Sequence, residues 1–138
     1  MPLISRMYYL CALGFLIAGV LVGLHMSISH DHSAVGAHAH INLLGWVTMA
    51  IFGTYHALNP DGAARRLARV QFYTYTFGVV LMTPSLYLLV TGNPALEPIV
   101  AVASIIVFIG VLMFGLIVLR DGRKSRADIP RIRTDPVG

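Results

Sequence analysis

Four apolar runs, Met7 to Ile28, Gly36 to Leu58, Val70 to Thr91 and Ala95 to Leu119, constrain this chain more than any other feature. Each is close to the roughly 20 residues that a helix needs to cross hydrocarbon. A segment in lipid must pair its own backbone polar groups, either as a helix or within a closed barrel. The two-residue alternation of barrel strands is absent, so the expected fold is all-α: an integral membrane four-helix bundle over residues 1–119, followed by a basic tail over residues 120–138. Composition agrees, since 57% of the residues are hydrophobic and 12% charged, against about 25% charged in a soluble domain. The first run could also be the core of a signal peptide. It is longer than the roughly 7 to 15 residues of such a core and has only Arg6 in front of it, so a retained helix is expected.

The charges stay out of the runs because a charge at the bilayer centre is costly. The 10 Lys and Arg residues fall in three places: Arg6, then Arg65, Arg66 and Arg69, then Arg120 through Arg133. None lies in the first or third connection. Basic loops remain on the cytoplasmic side, so both termini and the middle connection are expected in the cytoplasm of a bacterial-type inner membrane. The net charge of +4 then marks topology and contact with anionic lipid headgroups. It does not form the basic face with interleaved aromatics that nucleic acid requires. The single Cys11 allows no intrachain disulfide and reads as a small core residue.

Within the spans, Gly19 and Gly23 let a neighbouring helix approach closely. Pro84 removes a backbone donor and is expected to bend the third helix, with Thr83 and Ser85 helping to satisfy the freed carbonyl. The polar and aromatic stretch Gln71 to Thr76 reads as an interfacial belt, with quinone binding or proton conduction as the functional alternative. The fourth span looks like a packing helix. The tail from Arg120 is expected to be loosely ordered.

Five of the 6 histidines, His25, His30, His32, His38 and His40, crowd around the first connection with Asp31 among them. By topology they lie at the extracytoplasmic face. Imidazole is the commonest protein metal ligand near neutral pH, which leaves two uses open: axial ligation of heme iron, or direct binding of copper or zinc. His25 and His40 sit at similar depths, each about one turn inside its span, where heme could be held edge-on between helices. His30 and His32 lie in the connection and suit a loose metal site or a solvated loop. Successive helical residues turn by about 100°, so His38 and His40 point to nearly opposite sides. His40 then shares a stripe with Leu44, Val47 and Ile51, while His38 shares a more polar one with Asn42, Gly45, Met49 and His56. His56, alone near the other end, reads as a hydrogen-bonded interface residue.

The stretch Ala37-His38-Ala39-His40-Ile41-Asn42-Leu43-Leu44-Gly45-Trp46 resembles the start of the second membrane helix in subunit I of the heme-copper oxidase superfamily, particularly the nitric oxide reductase and C-type oxidase branch. The resemblance covers about the first two helices. In that family a His-x-Asn element near the outer face supplies an axial ligand to the low-spin b-type heme, which implies that His40 binds heme iron and that Asn42 supports it. The family's other heme and copper ligands come from later helices, and this chain has no histidine beyond His56. The resemblance therefore implies heme b and respiratory electron transfer or gas binding, without the oxygen-reducing centre. His25, or His38 or His25 of a second copy, would supply the other axial ligand. A homo-oligomer, a respiratory-complex partner, a quinone or a redox protein are the expected partners. The alternatives are copper or zinc handling by His30, Asp31, His32 and His38, or a structural subunit of a respiratory complex.

Overall fold

The computed structural model describes the backbone of residues 1–127 and the side chains as far as residue 122. Four helices are long and apolar enough to cross a membrane: α1 (Leu3–Ser29), α2 (Val35–Leu58), α3 (Arg66–Val90) and α4 (Glu97–Ala127). Among the described residues there is no strand. A single helical turn, Pro60–Ala63, connects α2 to α3, and a 3-10 turn, Pro94–Leu96, leads into α4.

The helices pack as two antiparallel pairs. In the first, Ser5 Oγ donates to the Gly53 carbonyl at 2.7 Å and the hydroxyls of Tyr9 and Thr54 meet at 2.7 Å. Further along, Gly19 lies against Asn42 and Gly23 against His38. The α1 contacts thus run from Ser5 and Tyr9 to Gly19 and Gly23 while those of α2 run back from Gly53 and Thr54 to Asn42 and His38, as an antiparallel pair requires. In the second pair the close approaches are made by glycines. A Cβ on Gly78 would stand 2.9 Å from the Val107 backbone nitrogen, and one on Gly110 would stand 2.9 Å from Tyr75 Cβ. Without a hydrophobic driving force between lipid-bathed helices, such close backbone packing is what holds them together. The pairs meet over Tyr8, Phe52, Phe72, Tyr75 and Val79, with Phe52 stacked on Phe114 at 4.0 Å between centroids.

Most of the apolar surface has no partner within the chain. Only 17% of the most apolar window of α1 is buried, and Leu10, Leu13, Ile17, Leu21 and Leu24 are exposed along it. Exposure of apolar side chains on this scale is what a lipid solvent permits and water does not.

Helix α2 changes its winding midway. Val35–His40 is α-helical, Ile41–Thr48 is π-helical and Met49–Leu58 is α-helical again. Side chains donate to carbonyls in this region: Thr48 Oγ1 to Leu43 at 2.7 Å and the Tyr75 hydroxyl to Leu44 at 3.0 Å.

Two expectations need correction. Residues from Arg120 do not leave the helix, because α4 continues to Ala127. Its extension is anchored by Asp121, whose carboxylate accepts from Arg65 at 2.7 Å and from the Tyr55 hydroxyl at 3.1 Å. The rest of the expected loose tail lies outside the described residues. At Pro84 the carbonyl that loses its donor is that of Val80, and Thr83 Oγ1 donates instead to Val79 at 3.0 Å, so Thr83 does not serve the freed carbonyl, while α3 continues on both sides of the proline.

Replacing Gly78 by Ala should destabilise the α3–α4 pair by about 1–3 kcal/mol, the usual cost of overpacking where backbone must move. Gly115 has nothing within 4 Å of an added Cβ, so Gly115→Ala should leave stability unchanged or slightly raised. Reversible unfolding in detergent compares the two, and equal effects would refute the close-approach account.

Candidate functional site

The connection between α1 and α2 is built by local hydrogen bonds. Ser29 Oγ donates to the His25 carbonyl at 2.8 Å and accepts from the Asp31 amide at 3.2 Å. His30 ends α1 in the left-handed region at φ 57°, which lets the chain reverse. The Ser33 amide donates to Asp31 Oδ1 at 2.9 Å, and the His32 Nδ1 lies 3.2 Å from the His30 carbonyl. His30 and His32 are both exposed. Among the described residues, no three His, Cys, Asp or Glu side chains come together as a group able to hold a metal ion.

The paired histidines of α2 part company as a regular helical turn demands. His38 is half-buried against α1, its ring beside Gly23. Asn42 Nδ2 donates to the His38 carbonyl at 2.9 Å and stands 3.4 Å from both His38 ring nitrogens. Asn42 is thus engaged with His38 and with α1, and makes no hydrogen bond to His40. Its stripe continues inward through buried Gly45, Met49 and His56.

His40 is exposed and stands at the last α-helical position before the π segment. Its Nδ1 lies 2.8 Å from the Gly36 carbonyl one turn back. A carbonyl can only accept, so Nδ1 carries the proton and Nε2 is left with its lone pair free. That is the arrangement in which protein histidines bind metals, with the second ring nitrogen tied to a carbonyl that fixes tautomer and orientation. His40 therefore has the donor chemistry that ligation of heme iron requires. Leu43, Val47 and Ile51 are exposed further along α2, whereas Leu44 of the expected stripe is only half-exposed. His25 is also exposed, on α1. An apolar cavity of about 390 Å³ lies between Phe15, Val22, Ile41, Pro84 and Tyr87, and an apolar groove of about 480 Å³ runs along Trp46, Ile51 and Leu58. Neither is lined by a histidine.

The expectation of a hydrogen-bonded interface residue at His56 is overturned. Its side chain is completely buried, and neither ring nitrogen has a hydrogen-bond partner. The ring is stacked on Tyr8 at 5.9 Å and 12°, with the Tyr55 and Phe114 rings edge-on. Stranding a buried polar group costs on the order of 1–3 kcal/mol. Its place on the polar stripe was visible in the sequence, but the enclosure by Tyr8 and Phe114 comes from helices distant along the chain.

Compared with known proteins, the chain matches no family model, no curated protein and no solved structure.

Asp31 gives a pH test of the connection. The Ser33 amide holds its carboxyl below the ordinary 3.8, helped by the Ser33 hydroxyl and by His25 and His32 nearby, against a small opposing effect of desolvation. A depressed acid favours the folded turn above its unfolded value and loses that contribution as pH falls through the folded one. The Ser33 amide resonance should therefore hold its position on acidification to about pH 4 and move only below it. Movement centred above 3.8 would contradict the Asp31–Ser33 bond.

Proposed function

We propose that this chain is a membrane b-type heme-binding protein of the inner membrane of a bacterial-type cell, with His40 as an axial ligand. The observation that carries the reading is the Nδ1 contact of His40 with the Gly36 carbonyl at 2.8 Å, which leaves Nε2 available at an exposed position. The resemblance of Ala37 to Trp46 to the opening of the second helix in heme-copper oxidase subunit I supports it independently.

Charge placement supports the orientation. Arg6, Arg65, Arg66, Arg69 and Arg120 stand at one end of the helices and the His25 to His40 region at the other. By the preference of basic residues for the cytoplasmic side, both termini face the cytoplasm and the histidines face outward. His38 is taken up against α1 by Asn42 and Gly23, so His25, of the same chain or of a second copy, would be the second residue to hold the group. When bound, heme would supply one-electron transfer with a second histidine in place, or gas binding without one. The chain's own part is to fix the His40 ring, hold it at an apolar boundary and present exposed helix faces to a second copy or to a respiratory partner.

The test is the absorption spectrum of the purified protein, as isolated and after titration with hemin. A sharp reduced Soret and α band should appear in the wild type, vanish in His40→Ala and survive in the double variant His30→Ala, His32→Ala. A wild type that takes up no heme, or a His40→Ala protein with an unchanged band, would overturn the assignment.

A further inference from the structure

The far end of α2 carries a second imidazole, several turns of helix away from His40, and no step of the heme reading uses it. His56 is fully buried and both of its ring nitrogens are unpartnered. A phenyl ring could make the same stack on Tyr8 and the same edge contacts with Tyr55 and Phe114. What the imidazole adds is a nitrogen that can take a proton.

The groups around it are suited to that. From α1 comes Tyr8, whose hydroxyl donates to Gln71 Oε1. From α3 comes Gln71, whose Nε2 also donates to the Gly110 carbonyl at 3.3 Å. From α4 come Phe114, edge-on to the ring, and the carboxylate of Asp121 beyond Tyr55. On α2 itself, Tyr55 links the ring to that acid, since its hydroxyl donates to Asp121 Oδ2 at 3.1 Å. Arg65 pairs with the other carboxylate oxygen at 2.7 Å, and the two side chains are 32% and 12% exposed, so water reaches Asp121 from that end. Gly62 lets the carboxylate pack closely against the turn before α3, because a Cβ there would stand 2.5 Å from Asp121 Oδ2.

We propose that His56 is a buried proton-accepting site, loaded from the mouth formed by Arg65 and Asp121. A hydronium ion at the mouth gives up one O–H bond, leaving water, and an N–H bond forms on the His56 ring. The resulting imidazolium faces the Asp121 carboxylate as its counter-charge. Release is the reverse step at the same mouth. The inference does not depend on heme at His40, and either can fail without the other.

The experiment is nitrogen NMR of the full chain, labelled with 15N-histidine and reconstituted in lipid nanodiscs, between pH 5 and 8. The His56 signal is assigned by its loss in His56→Gln, or in the wild type through its proximity to the Tyr8 and Phe114 rings if that variant does not fold. It should pass reversibly from a neutral to an imidazolium pattern, and in Asp121→Asn its midpoint should fall by about 1–3 pH units, the usual effect of removing an adjacent opposite charge. A ring that stays neutral down to pH 5, or one with the same midpoint in Asp121→Asn, would overturn the proposal.

Discussion

A helix in hydrocarbon has no water to complete its hydrogen bonds, so every carbonyl must be served from within the protein. Helix α2 lives under this constraint and departs from regular winding over Ile41–Thr48. Asn42 serves the His38 carbonyl, Thr48 that of Leu43 and Tyr75 that of Leu44. His40 does the same for Gly36, and in its case the bond has a chemical consequence. Tying Nδ1 fixes the tautomer, so that the other nitrogen is a lone-pair donor at the helix surface. A π segment beside such a residue fits the frequent placement of these distortions at functional positions.

The rest of the bundle holds α2 in place by contact more than by charge. Gly19, Gly23 and Gly45 let α1 close against it, with Asn42, His38 and Phe15 filling the space that side chains on those glycines would need. At the opposite end the packing is aromatic, through Tyr8, Phe52, Phe72 and Phe114, and it encloses His56. The Arg65–Asp121 pair stands at that end, tying the start of α3 to the last described turns of α4. The two ends of α2 therefore differ in kind: one presents an imidazole outward, the other walls one in.

Much of this was legible from residue order. The four spans follow from apolar runs of sufficient length, and the opposed directions of His38 and His40 follow from the helical turn. The common stripe of Asn42, Gly45, Met49 and His56 followed from the same turn, though not that it faces inward. The π segment was not legible, because Ile41 to Thr48 carries nothing in its apolar spacing that separates a π from an α winding. The helical continuation past Arg120 was hidden for a different reason, since it depends on Asp121 meeting Arg65 and Tyr55 from other helices. The enclosure of His56 was likewise a matter of which helix closes over the stripe, and no local pattern encodes that.

The central claim is that the His40 ring is held with Nδ1 protonated and Nε2 free for iron. Nitrogen NMR of the heme-free protein labelled at histidine measures it directly. The account predicts the Nδ1–H tautomer at His40, with the Nε2 resonance alone displaced when a diamagnetic metalloporphyrin is added. The Nε2–H tautomer, or an Nε2 resonance indifferent to the porphyrin, would contradict it.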